Sequence, residues 1–177
     1  MRQHAVMLLA LVFLCGSAFA DEEASNRPIV RSSEYGAYYA KSIPSEDYGT
    51  IGVTRVYSVG TEEDTFLYEY PWYAAEVYMG GSGDGTMVRF GPWARGREPR
   101  EDHLAIGFYR EGRVVREYST LEIANLGSGV SQSVSHYRVF GERLGFNWSG
   151  SDGVFFEVMG VGGELLRFNL ETGELSE

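Results

Sequence analysis

The chain has 177 residues, with 15 basic and 25 acidic side chains, a formal net charge of −10 and one cysteine, Cys15. That length fits one domain able to bury a core without covalent staples. The acidic balance argues against nucleic acid and anionic lipid as partners, because like charges repel the phosphate array.

The N-terminus reads as an export signal. Arg2 and His4 give a basic, polar start, and Ala5 to Leu14 form an unbroken apolar run. Gly16-Ser17-Ala18-Phe19-Ala20 supplies a small-x-small pattern before Asp21-Glu22-Glu23. The apolar run of about ten residues falls short of the about twenty needed to span a bilayer. A cleaved signal peptide is therefore expected over 1–20, with no stable membrane insertion afterwards and a periplasmic or secreted destination. Cys15 leaves with that segment, so the remainder has no thiol, no disulfide and no cysteine-ligated metal. Leu14 before Cys15 is not the small residue that lipoprotein processing wants.

Residues 21–34 are polar and charged and read as a flexible leader. Residues 35–177 read as a single β domain. Ala37–Ile43, Ile51–Val59, Thr65–Tyr70, Ala75–Met79 and Thr86–Phe90 are short runs rich in Val, Tyr, Phe and Thr, parted by Gly, Pro or Asp clusters. His103–Tyr109 and Arg113–Tyr118 flank Arg110-Glu111-Gly112 as a hairpin. On its first strand Leu104, Ile106 and Phe108 share one face; Ala105, Gly107 and Tyr109 share the other, where small residues suggest close approach of another layer. Ser119-Thr120-Leu121-Glu122 has the spacing of a capping box and predicts one short helix near 119–126, stopped by Gly127. Strands resume at Ser133–Phe140, and Val154–Met159 with Glu164–Leu170 form a last hairpin. No helix-period segment of core length follows the apolar start. The fold class expected is all-β: an antiparallel meander forming a sandwich or an open rolled sheet.

The turns Asp84-Gly85 and Asp152-Gly153, with the hairpin Phe108–Tyr118, resemble blade elements of WD40-like propellers, in which a strand, an aspartate-glycine turn and an aromatic-rich strand recur. That resemblance implies meanders of propeller type. Blades of about 40 residues, at least four to a ring, leave scarcely enough chain for closure. The chain as a whole also resembles uncharacterised β-rich proteins exported by bacteria, a likeness that brings no activity with it.

Catalytic chemistry finds little to stand on. His103 and His136 are the histidines beyond the signal. Strand alternation would put Ser135 and His136 on opposite faces, and there is no Gly-x-Ser-x-Gly elbow. Both histidines read as strand residues making ordinary hydrogen bonds. No zinc pattern occurs, and the loops around Asp84 and Asp152 carry one carboxylate each where calcium loops gather several. Neither Gly-rich stretch has the Lys-Ser/Thr or the helix of a phosphate loop. No catalytic set, metal site or cofactor is expected. Asn147-Trp148-Ser149 is a glycosylation sequon, relevant only in a eukaryote.

Two surface features carry the functional expectation. Arg89 to Asp102 gathers Arg89, Arg95, Arg97 and Arg100 with Trp93 in a Pro- and Gly-containing stretch that reads as a long loop. Arginine and tryptophan dominate binding hot spots, so the loop would suit an anionic partner. The competing reading pairs these arginines with Glu98, Glu101 and Asp102. The second feature is Tyr68, Tyr70 and Trp72, which share a strand face next to Tyr73. Exposed, they would stack on sugars or a protein; buried, they are core. The function expected is an exported, soluble binding module whose partner is a protein or glycan of the cell envelope or exterior. A carbohydrate-active hydrolase with paired carboxylates and an envelope-associated structural protein are the alternatives.

Overall fold

The computed structural model describes residues 23–81, 85–150 and 153–176. The export signal expected over 1–20, and Asp84 and Asp152 of the two Asp-Gly turns, lie outside the described residues. In chain order the elements are β1 (Ile29–Ser32), β2 (Tyr38–Pro44), β3 (Gly52–Ser58), β4 (Thr65–Tyr70), β5 (Val77–Met79), β6 (Met87–Phe90) and β7 (Ala94–Arg95). There follow β8 (Leu104–Arg110), β9 (Arg113–Ser119), α1 (Thr120–Ile123), a π-helical turn at Ala124–Ser128, β10 (Ser131–Gln132), β11 (His136–Arg138), β12 (Phe140–Gly150), β13 (Gly153–Gly160) and β14 (Leu165–Asn169).

The strands form four antiparallel sheets, none closed into a barrel, so the all-β expectation holds. β1-β2-β3-β4 is the first sheet, β5-β6-β8-β9 the central one, β12-β13-β14 the third, and β10-β11-β7 the smallest. Alternation along the central strands explains the layering. Val88, Phe90, Ile106 and Phe108 enter a cluster with Phe156, Val158 and Phe168 of the third sheet. Met87 and Tyr109 enter a second cluster with Ala40, Val56 and Tyr70 of the first sheet. The inner strands β6 and β8 are thus buried on both faces, while the edge strand β9 is largely exposed. Each fully buried Phe or Val contributes about 1.5–3 kcal/mol of transfer free energy. On the second face of β8 the space over Gly107 is filled by the strand's own Tyr109 ring and not, as expected, by close approach of another layer.

Two local devices stand as their residues predict. Glu122 Oε2 accepts from the Ser119 amide at 2.8 Å and the Ser119 hydroxyl accepts from the Glu122 amide at 3.1 Å, completing the capping box. Arg110 pairs with Arg113, and the two residues between them have positive φ, 47° at Glu111 and 77° at Gly112. That is the primed hairpin turn, and Gly at its second position avoids the steric cost.

The structure departs from the sequence expectation at four places. Ile29–Ser32 is a strand pairing with β2, so the segment 21–34 is not wholly a leader. Residues 94–95 form β7, which breaks the expected Arg89–Asp102 loop, and Arg89 with Phe90 belongs to β6. The predicted Ser133–Phe140 strand is interrupted, since β11 begins only at His136. β12 was hidden because Gly141, Gly145 and Gly150 dilute its pattern and register shifts at Phe140/Arg143 and Arg143/Gly145 spoil its alternation.

Candidate functional site

Pairing across the small sheet builds the site. Arg95 faces His136 and Ala94 faces Tyr137, while Ser131 faces Arg138 on the other side of β11. The Gly96 amide donates to Ser135 O at 2.9 Å and Gln132 Nε2 to Arg97 O at 2.8 Å, tying the arginine segment to the β10–β11 hairpin. Tyr137 and Ala94 turn into the larger core, so His136, Arg138, Trp93 and Arg95 take the opposite face. Beside this sheet lies a cleft of about 710 Å³ walled by residues 23, 24 and 26, the 73–76 segment, the Gly91-Pro92-Trp93 corner, the hairpin and Arg143, with Ala94, Leu104, Thr120 and Tyr137 at its inner side.

Trp93 is 43% exposed, and its ring centroid lies 4.8 Å from that of the buried His136. His136 Nδ1 is 2.8 Å from Ser135 Oγ. This corrects the expectation that the two side chains point apart. Ser133 and His136 close a turn, with Ser133 N–H donating to His136 O at 2.8 Å and His136 N–H to Ser133 Oγ at 3.2 Å, so Ser135 lies in a bend where alternation does not apply. Among the described residues no carboxylate orients this imidazole, and a nucleophilic triad is not assembled.

The arginines divide by partner. Arg95 Nε and Nη2 both donate to Glu23 Oε2, at 3.0 and 2.7 Å, and its guanidinium lies 5.6 Å from the Tyr48 ring centroid. Glu23, Tyr48, Arg95, Ser135 and His136 line a smaller hollow of about 310 Å³. Arg100 forks onto Asp102 with two bonds of 2.8 Å, which hold the Asp102 carboxyl below the usual carboxylate range. Arg97 and Arg138 are exposed and have no acidic partner among the described residues. Arg143, at the cleft wall, bonds Glu76 at 3.1 Å and the Gly141 carbonyl at 2.7 Å.

Arg89 is elsewhere. It is 6% exposed, on the Met87 side of β6, with its guanidinium carbon 4.1 Å from the Trp72 ring centroid between the first and central sheets. The Tyr68, Tyr70 and Trp72 row faces the same interior and is not a solvent-facing stacking surface. Tyr70 is 3% exposed, stacks on Trp72 at 5.0 Å and meets Tyr109 edge-on at 5.2 Å; Tyr68 and Trp72 are half-buried against the same cluster. The cause is cross-strand pairing: Tyr70 and Tyr68 sit opposite Thr54 and Val56, both fully buried. Tyr73, 1% exposed, donates its hydroxyl to Arg27 O at 3.0 Å and lines the cleft from below.

His103 lies behind the small sheet. Its Nδ1 is 2.7 Å from the Tyr137 hydroxyl, which is 2.8 Å from Thr120 Oγ1, and Thr120 in turn bonds the Arg100 backbone amide and carbonyl. The network fixes the arginine segment against α1. Sequence reasoning missed Glu23, Tyr48, Arg138 and Arg143 as site residues and set His136 aside. They come from distant parts of the chain, and only the serine cluster 131–135 hinted at a turn there.

Among the described residues no group of three or more His, Asp or Glu side chains could hold a metal ion, and no helix is long and apolar enough to cross a membrane. No family model, curated protein or solved structure matches this chain.

Proposed function

We propose that this protein is an exported binding module that takes a small anionic or saccharide ligand into the cleft beside the small sheet. The observation that carries the reading is the half-exposed Trp93 ring, backed by His136, at the lip of a 710 Å³ cleft beside exposed Arg138. That size lies within the range of about 300–1,000 Å³ usual for small-molecule sites. An indole face buries apolar area against a sugar ring at little entropic cost, and arginine supplies directed bonds to anionic oxygens. Arg97 is exposed nearby, its backbone carbonyl held by the side chain of Gln132, a residue of the cleft wall. Among the described residues the carboxylates that line the cleft, Glu23 and Glu76, are each engaged by an arginine, which favours binding over two-carboxylate hydrolysis.

A thermal-shift and tryptophan-fluorescence screen of neutral sugars, acidic sugars and organic anions tests this. A ligand present at 100 times its Kd stabilises the fold by about 2.7 kcal/mol. Trp93→Ala and Arg138→Ala should each weaken that ligand by about tenfold, an effect of about 1.4 kcal/mol. Affinity untouched by both substitutions would remove the cleft from consideration. Release of product over time would replace binding with catalysis.

A further inference from the structure

We propose that Arg95 is a carboxylate-exchange site: Glu23 fills it in the resting chain, and the carboxylate of an acidic ligand displaces Glu23 and opens the cleft. The inference rests on the cleft reading above and names the chemical class of its ligand. The molecule's own side chain shows what the position accepts, since Glu23 is bound there with its side chain only 15% exposed while that of Arg95 remains 64% exposed.

Three features make this contact a latch. First, it is half-made. Both Arg95 donors reach a single oxygen, Glu23 Oε2. A ligand carboxylate that offers two oxygens to the fork satisfies the guanidinium better. Second, the segment is hinged next to it. Asn26 is anchored by its amide to Asp47 O at 2.6 Å and by its side chain to Glu46 O and Gly49 O at 3.2 and 3.0 Å. Among the described residues, the hydrogen bonds of residues 23–25 are those of Glu23 to Arg95, so breaking them frees the segment as far as Asn26. Third, Glu23 lines both the 310 Å³ hollow and the 710 Å³ cleft, so its departure joins the two. With Arg95 open to solvent, the ion pair is screened by salt on that side, which keeps it weak enough to exchange.

The neighbours suggest where the carboxylate comes from. Trp93 and Arg95 both flank His136, the first by ring contact at 4.8 Å and the second by strand pairing. A sugar acid carries both matching parts, a ring for the indole and a carboxylate for the guanidinium. Glucuronate is therefore the probe, with glucose as the ring without the charge and succinate as the charge without the ring.

Wild type, Glu23→Gln and Arg95→Gln are titrated with the three probes at fixed ionic strength. Glu23→Gln should bind glucuronate about fivefold more tightly, the factor for a latch closed about four-fifths of the time. Arg95→Gln should bind glucuronate no better than glucose. Saturating glucuronate should move the wild-type Glu23 and Ala24 amide NMR signals to those of Glu23→Gln. The same exchange with succinate alone supports the carboxylate site and removes the sugar ring from it. Equal affinity of wild type and Glu23→Gln with unmoved amides overturns the latch even where the cleft binds other ligands, and leaves the cleft reading standing. No binding of glucuronate or succinate to Glu23→Gln overturns it too. The cleft reading falls separately, by indifference of the screened ligands to Trp93→Ala and Arg138→Ala.

Discussion

Replacing Gly91 with alanine tests how the corner carrying Trp93 is held. A Cβ built there lies 1.7 Å from the Leu104 carbonyl oxygen and 2.6 Å from its carbon, where ordinary contact begins at 3.4 Å. The obstacle is backbone of β8, a strand buried at five of its seven positions, and not a side-chain tip that can swing aside. The 90–92 segment must therefore retreat by about 1.7 Å from β8, the difference between those two distances. The Gly91 amide bond to Ala105 O, 3.0 Å long, cannot survive that movement. Its loss costs about 1 kcal/mol, and overpacking adds about 1–3 kcal/mol. At about 2–4 °C per kcal/mol for a chain of this size, the melting temperature should fall by roughly 5–15 °C. Far-UV circular dichroism measures the melt, and tryptophan fluorescence reports whether Trp93 has moved from His136. A melting temperature within about 2 °C of wild type, with an unchanged emission spectrum, would refute the account of this corner.

Two further expectations concern the layers behind the site. Phe156 is fully buried, with Tyr78, Phe146 and Phe90 ring centroids at 5.2, 5.2 and 5.9 Å, so Phe156→Ala should cost about 3–5 kcal/mol in urea denaturation; a loss under about 1 kcal/mol would mean the third sheet does not pack as described. Burial raises the Tyr70 and Tyr109 hydroxyls above the ordinary tyrosine range. A raised folded-state value means the native state holds its proton longer, so this stability is full below the unfolded tyrosine value of about 10 and drains away as pH rises beyond it. Melting temperatures from pH 8 to 11.5 should fall above about pH 10 and fall less steeply in Tyr70→Phe and Tyr109→Phe; identical slopes in all three proteins would contradict the burial argument.

Local physics was legible in the residues themselves. The alternation of β8 from Ile106 to Tyr109, the Glu111-Gly112 turn and the Ser119–Glu122 capping box each depend on neighbours within a few positions and stand in the structure as their residue patterns require; at Ala105 a register shift breaks the alternation and puts it in the cluster of Ile106 and Phe108. Composition and strand-length apolar runs likewise sufficed for the all-β class. Among the proposed binding residues, Trp93 and Arg95 were found because tryptophan and arginine lie close together in one glycine- and proline-rich stretch. Alternation could say that Tyr68, Tyr70 and Trp72 share a face, yet not which face meets water.

Tertiary structure decided that second question by placing the central sheet against the first, which seals the aromatic row over Tyr109 and draws Arg89 in above Trp72. It also made the site. Glu23, Arg95 and His136 meet because a two-residue strand pairs with a distant hairpin and the chain at Asn26 is tied to the Asp47 backbone, which lays Glu23 across them. A two-residue strand has no periodicity to read, and an ion pair between residues 23 and 95 leaves no mark on either segment. What the sequence by itself determined is therefore the class of fold and its short-range turns and caps. Which surfaces remain open, and which charges meet there, was settled by packing between sheets, because contacts far apart along the chain are properties of the assembled layers and not of any one stretch of residues.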